Sequence, residues 1–447
     1  MGENRLDKAK SLVILLLAMI MLTACISSNN DKVLVQEESL KRKLTIELVA
    51  RTGSSGNRLI EQILQFAAER PDIEINIRSN NNHPKDYSPW IYGREGSGEQ
   101  PDIIELTPTQ MKLWFHHGKL EPLNLVEPQY RDYTISSPDG YIIGLKSKIN
   151  PLIVYYNQDI FTRLGLEAPS SDWDWSKLDD TIVRLKAAGE NVYVMISPAI
   201  LEWVTMNRYD GHIVDSSSTV FSGYIDSEEA VQAAEWLSWI GTKDEDYKER
   251  KFGSSTTHTP MPYDLIEDNM ALAIDFAFAL QTTGITNFED IIQQNHQVSV
   301  ATVPGRSGGV NIAKMSGLSI RAESQNKEIA MELIRYLAQD SDQFFLDTIQ
   351  HTYDAYGGED LMHDAARTVL LYEAKRSIPA SLYMYEGQNH GDNDAYFQPR
   401  RPILQGQPAK DVLANEAGDI DFQFEMFKEA MENYISCIQQ FSGVCGR

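Results

Sequence analysis

Leu44-Thr45-Ile46-Glu47-Leu48-Val49-Ala50 alternates its apolar residues with the two-residue period of a β-strand. Arg51-Thr52-Gly53-Ser54-Ser55-Gly56 then breaks the pattern with turn-forming residues. Leu59, Ile60, Ile63, Leu64 and Ala67 follow at helical spacing, and Pro71 ends that run. Ile73, Ile75 and Ile77 alternate again. A strand, a helix and a second strand within so short a stretch form a βαβ unit, which requires the two strands to be parallel.

Downstream the same grammar recurs. Asp102 to Leu106 reads as a buried strand, Thr107-Pro108 as a helix start and Gly118 as a helix stop. Tyr141 to Leu145 and Leu152 to Tyr156 are expected as two strands on either side of Asn150-Pro151. Ser170 to Trp175 opens a helix that ends near Gly189. Val298–Val303 and Gly317–Ile320 read as late strands, followed by a helix over Asn326–Ala338 and a last helix over Phe422–Gln440. No repeat of solenoid or propeller length is present.

Upstream, Ile26 to Arg42 is polar and lacks apolar periodicity, the composition of a flexible tether. Before it, Arg5, Lys8 and Lys10 precede an apolar run from Ser11 to Leu22, and Leu22-Thr23-Ala24-Cys25 closes that run. The run is shorter than the roughly 20 residues needed to span a bilayer. A cysteine placed there resembles the lipobox of bacterial lipoproteins. The resemblance implies that residues 1–24 are a signal peptide, that Cys25 carries lipid, and that the protein is held on the extracytoplasmic face of the cell membrane.

The 447 residues include 40 Lys and Arg against 64 Asp and Glu, a net charge of −24. The leader holds three basic and two acidic residues, so its removal takes the charge to −25. Such acidity argues against a nucleic-acid partner, since phosphate binding needs clustered Lys and Arg. Besides Cys25 there are two cysteines, Cys437 and Cys445, with Ser442-Gly443 between them. In an exported chain an even pair favours a disulfide over two free thiols. No nearby His completes a metal site, and neither metal nor cofactor is expected.

Four segments, in order, resemble the sugar-binding extracellular solute-binding proteins of ABC importers, the family related to maltose-binding protein. Pro101-Asp102-Ile103-Ile104 through Gly118-Lys119-Leu120-Glu121-Pro122-Leu123 is similar to that family's PDV…G.L.PL stretch. Tyr141 to Phe161, with Val154-Tyr155-Tyr156-Asn157-Gln158-Asp159-Ile160-Phe161, is similar to YGLP…LYYNKDLF. Trp175 and the helix after it are similar to W.W.…A..L. Met270–Phe278, Ser316–Ile320 and Asn326–Ala330 resemble AM…GPWA…GLAI…NKEAA.

The resemblance implies an α/β fold of two lobes, each a mainly parallel sheet flanked by helices, with a ligand cleft between them. Loops at the carboxyl ends of parallel strands form ligand crevices, and lobes of this kind swing about short hinges. The hinges are expected near Lys146–Pro151, Val303–Gly309 and Ala338–Phe344. Lobe 1 would comprise 44–147 with 304–340, and lobe 2 would comprise 150–302 with 345–447. The implied partners are a carbohydrate ligand and ABC permease subunits, with the receptor a monomer.

Sugars offer an apolar face and a rim of hydroxyls, so their sites combine flat rings with polar side chains. Trp203 matches a cleft tryptophan ahead of the family's glycine turn. Phe278 stands where the GPW tryptophan stands, with Asp275 beside it. Ordinary core packing is the other reading of each ring. Strand ends supply Arg51, Thr52, Ser54, Glu105, Asn150 and Ser316, all of which are also residues that turns or ion pairs use. Arg51 is suited to a uronate carboxylate or to a neighbouring acid.

No Gly-x-Ser-x-Gly elbow, His-Glu-x-x-His motif or phosphate-binding glycine loop is present, so the chain is not expected to be an enzyme. A receptor for a sensor kinase and a surface polysaccharide-binding module share the same signature and stay open at this level.

Overall fold

The computed structural model describes residues 41–49, 58–80, 100–125, 127–170, 173–194, 198–215, 220–240, 270–277, 298–305, 309–338, 341–354, 364–381, 403 and 406–440. The opening unit is β1 (Arg42–Val49), α1 (Arg58–Glu69) and β2 (Ile73–Asn80). β1 and β2 pair in parallel from Arg42↔Ile73 to Val49↔Asn80, as a βαβ unit must. Leu44, Ile46 and Leu48 are buried, and so are Leu59, Ile63 and Phe66 on one stripe of α1. β3 (Ile103–Leu106) joins the other side of β1, again in parallel. Then come α2 (Pro108–His116), a 3-10 turn over Pro128–Tyr133, β4 (Thr134–Ser136) and β5 (Ile142–Asn157).

The second part of the chain adds α3 (Gln158–Arg163), α4 (Trp175–Ala187), β6 (Asn191–Val194), α5 (Pro198–Tyr209), α6 (Glu228–Ile240) and β7 (Met270–Phe276). β8 (Val298–Ala301), β9 (Asn311–Ile320), α7 (Lys327–Leu337), α8 (Ser341–Asp354), α9 (Asp364–Lys375), β10 (Ser377–Pro379) and α10 (Ala409–Gln440) complete it.

The strand order is β2-β1-β3-β9-β5-β7-β6, with β4 and β8 on β5 and β10 on β9. Parallel pairing holds for β1 with β2 and β3, for β6 with β7 and for β10 with β9. The pairs β3–β9, β5–β9 and β5–β7 are antiparallel, so the sheet turns mixed where the chain crosses between its halves.

Two strands expected around Asn150-Pro151 are in fact the single sixteen-residue β5. Its first part pairs with β9 up to Pro151↔Ala313, and its second pairs with β7 from Leu152↔Phe276. Pro151 therefore sits where one ladder ends and the next begins, a place where a missing N–H is tolerated. The strand also has an irregularity between Lys146 and Lys148. β9 begins six residues earlier than Gly317, and α10 begins thirteen residues earlier than Phe422.

β5 shows how one strand serves two cores. Leu152, Val154 and Tyr156 pack with α4, α5 and α6 in one core. Ile153 and Tyr155, on the opposite face, pack in the other core with residues of β1, α1, α7 and α8. The segment 345–447 divides between them. Phe345, Ile349, Leu370 and Ala374 lie in the core shared with β1, while Ile403, Leu413 and Ala417 lie in the core shared with α5.

A buried ionic knot ties the crossing segments. The Glu373 carboxylate, 0 % exposed, accepts from Val303 N–H at 2.9 Å, Asn311 Nδ2 at 2.7 Å and Arg376 Nε at 2.7 Å. Asn311 Nδ2 also donates to the Leu152 carbonyl, and Arg376 donates to the carbonyls of Val303 and Gly309. Burial pushes the Glu373 carboxyl up, and Arg376 opposes that shift. Two of the connections between the halves, at Leu152 and at Val303–Asn311, are thus fastened to Glu373 of α9 and to Arg376 just after it.

Candidate functional site

The carboxyl end of β3 leads into α2. Thr107 caps the helix as the sequence predicts: its hydroxyl accepts from Gln110 N–H, and Gln110 Oε1 accepts from Thr107 N–H at 2.9 Å. Pro108 occupies the first turn, and Gly118, at φ +67°, adopts the left-handed conformation that ends the segment. In the other half α5 follows β6. The first turn of α2 and the middle of α5 meet across Ser381, just past β10. Thr109 Oγ1 on α2 donates to the Ser381 carbonyl at 3.4 Å. On the opposite side Ser381 N–H donates to Glu202 Oε2 of α5 at 2.8 Å, and its hydroxyl donates to Oε1.

This junction carries charge. Glu202 is 4 % exposed. Burial raises its carboxyl to about 7, against the lowering effects of the Ser381 hydrogen bonds and the Lys112 ammonium. Lys112, on α2, is lowered by burial, while Glu202 and Asp215 act to raise it. A cation from one half therefore faces two carboxyl groups of the other. Hydroxyl, ammonium and carboxyl groups brought to one junction are the types that donate to and accept from a polyhydroxylated solute.

The residues expected at the site fall in several places. Glu105 is 0 % exposed, and its oxygens accept from Ser147 Oγ at 2.6 Å and Lys148 Nζ at 3.1 Å. Ser316 lies opposite Lys148 in the β5–β9 ladder, and Asn150 lies opposite Lys314. Glu105, Asn150 and Ser316 thus come together along the crossing strands. Asp275, 3 % exposed on β7, accepts through Oδ1 from the Phe276 N–H at 2.6 Å and lies opposite Ile153.

Trp203, expected at the cleft, is 0 % exposed inside the core of the second half, with its ring 4.9 Å from that of Trp175. The apolar side chains Ile200, Leu201 and Val204 hold this turn of α5 against that core. Glu202, one residue away and about 100° round the helix, points to Ser381 instead. Arg51, Thr52, Ser54, Phe278, Cys25 and Cys445 lie outside the described residues, as does the side chain of Cys437.

Sequence reasoning missed Thr109, Lys112, Glu202 and Ser381. A signal for Glu202 was present: it is the single charge within Pro198-Ala199-Ile200-Leu201-Glu202-Trp203-Val204. A carboxyl in an apolar helical run is either surface-facing or deliberately buried, and only packing decides which. Among the described residues no group of three His, Cys, Asp or Glu is arranged to hold a metal ion. No helix among them is long and apolar enough to cross a membrane.

The profile of the bacterial extracellular solute-binding proteins matches residues 49–344. The chain belongs to that family. The match covers β3, the crossing strands β5 and β9, and both helices of the charged junction. This extracellular solute-binding protein is 23 % identical over 302 residues to the galactooligosaccharide-binding protein of Bacillus subtilis (strain 168), across 63 % of its own length and 66 % of the relative's. It thus spans just under two thirds of that relative.

The fold is also that of the sugar-binding protein MalE from Xanthomonas citri, with a TM-score of 0.62 and 14 % identity over 87 % of this chain and 99 % of the other. An ABC substrate-binding protein from Listeria monocytogenes, in complex with cycloalternan, matches with a TM-score of 0.57 and 16 % identity over 86 % and 99 % of the two chains. These relatives and neighbours are substrate-binding proteins with a two-lobe α/β fold.

Proposed function

We propose that this chain captures a carbohydrate between its lobes and delivers it, unchanged, to an ABC permease, while Cys25 anchors it by lipid to the extracytoplasmic face of the membrane. The observation that carries this reading is the charged junction where α2 and α5 meet over Ser381, in a chain of the solute-binding family. The galactooligosaccharide-binding relative and the cycloalternan-bound neighbour support a carbohydrate as the solute. The lipobox-like Leu22-Thr23-Ala24-Cys25 and the polar stretch after it support a tethered receptor. A lipid anchor made of two acyl chains binds a membrane stably, whereas one binds only marginally. Arg51, Thr52, Ser54, Asn150, Ser316 and Phe278 are proposed as further contacts, and the receptor acts as a monomer.

A thermal-shift panel of neutral monosaccharides, oligosaccharides and uronates tests the reading. A ligand at 100 times its Kd stabilises the folded state by about 2.7 kcal/mol. At least one neutral oligosaccharide should raise the melting temperature and be recovered intact afterwards. A panel that leaves the melting temperature unchanged, or a sugar recovered as cleavage products, overturns the proposal.

A further inference from the structure

Glu202 combines burial with a place between the halves. It is 4 % exposed and bonded to Ser381 of its own half, and Ser381 in turn accepts from Thr109 of the other half. Its hydrogen-bond donors come from Ser381, whose carbonyl is itself held by Thr109 on α2. Lys112 stands one helical turn along from Thr109 on that same helix and acts on Glu202 from across the junction. Thr109 and Lys112 thus reach the junction from α2, while Glu202 and Ser381 reach it from the other half.

We propose that Glu202, Ser381, Thr109 and Lys112 form a proton-controlled clasp between the lobes, so that the cleft closes more readily when Glu202 is protonated. The clasp takes the lobes to open and close about a solute, as in the function proposed above, and adds a control that acts even without the solute.

The sign follows from burial. In the arrangement of this structure, which the clasp takes as the closed one, the Glu202 carboxyl is raised to about 7, chiefly by loss of water, with Ser381 and Lys112 opposing. In an open arrangement water returns, and the group titrates near the ordinary 4.5. Closing therefore takes up a proton between these two values. The ratio of closed to open is greatest below about 4.5, falls as pH rises, and levels off above about 7. Between pH 5 and 8 the ratio falls by up to about 70-fold.

Other charged groups lie on the elements around Glu202. α6 carries Glu228, Glu229 and Glu235, β9 carries Lys314, and the stretch after α5 carries His212 and Asp215. Lys314 lies over the Phe276 ring, and Asp215 acts on Lys112. Among the described residues, Lys112 is the charge that acts on Glu202.

Small-angle scattering of the purified, sugar-free protein from pH 5 to 8 tests the clasp. The wild type should expand as pH rises, and Glu202→Gln, which cannot ionise, should stay compact throughout. Lys112→Met and Ser381→Ala each remove a group that lowers the Glu202 pKa, so both should move the expansion to higher pH. These two variants decide the matter if Glu202→Gln does not fold. A wild-type radius independent of pH overturns the proposal, as does a Glu202→Gln profile that follows the wild type. Sugar plays no part in the measurement, so failure of the carbohydrate reading would leave this result standing, and the reverse also holds.

Discussion

Replacing Trp203 with alanine separates core from cleft at the position where the two readings differ most. The indole is 0 % exposed, packs among Ile200, Leu201 and Val204, and tilts against Trp175 with 4.9 Å between ring centroids. A buried tryptophan covers on the order of 150–250 Å². At about 25 cal/mol per Å² its removal costs roughly 4–6 kcal/mol, an upper bound because the unfolded chain also buries surface. Losing the ring pair adds about 1 kcal/mol.

One term acts the other way. The Trp203 Nε1–H has no acceptor among the described residues, and relieving such a donor returns about 1–3 kcal/mol. The expected net cost of Trp203→Ala is about 3–4 kcal/mol, within the range for buried aromatic truncations. Trp203→Phe keeps a ring and deletes the unpaired donor, so it should cost less than about 1.5 kcal/mol. Urea unfolding followed by circular dichroism measures both. Sugar affinity, measured under conditions where the variants are folded, should change by less than about threefold. Stability within about 1 kcal/mol of wild type for Trp203→Ala, together with abolished sugar binding, would refute the placement of Trp203 in the core.

Gly317→Ala tests the close approach of β9 to β5: an added Cβ would sit 2.7 Å from the Leu145 carbonyl oxygen and 2.8 Å from the Met111 methyl. The strands must part, and a loss of about 1–3 kcal/mol is expected in thermal unfolding; an unchanged melting temperature would contradict the pairing of Gly317 with Lys146 in that ladder. Glu373→Gln leaves Arg376 without its carboxylate partner inside the knot at the crossing segments, at a cost of about 3 kcal/mol. The double variant Glu373→Met with Arg376→Met should not recover that loss, because it also strips the Val303 N–H and Asn311 Nδ2 of their acceptor and the carbonyls of Val303 and Gly309 of their donor. A double variant markedly more stable than Glu373→Gln in thermal unfolding would contradict the bonding of the knot to Val303, Gly309 and Asn311.

The local elements were legible because their cause is local. A two-residue period between Leu44 and Leu48, a Thr-Pro helix start at 107–108 and a glycine stop at 118 each reflect forces between residues close along the chain. The ordered motifs through Val154–Phe161 and Ser316–Ile320 likewise pointed to the family and to a fold of two lobes. Strand boundaries at Pro151 were not legible. A proline reads as a break until it is known that β5 changes partners there.

What the chain's own pattern determined is the set of amphipathic pieces and their α/β order, since periodicity states which side of each piece avoids water. It could not state what that side would meet. Leu201, Glu202 and Trp203 are adjacent in sequence, yet packing sends Trp203 into a core and Glu202 to a junction with α2. Lys112 and Glu202 are ninety residues apart, and Ser381 lies far beyond both. Their meeting depends on β5, β9 and β10 running side by side between the lobes. Burial at that junction, and with it the shifted carboxyl, arises from the approach of two helices distant in the chain, and only the tertiary structure brings them together.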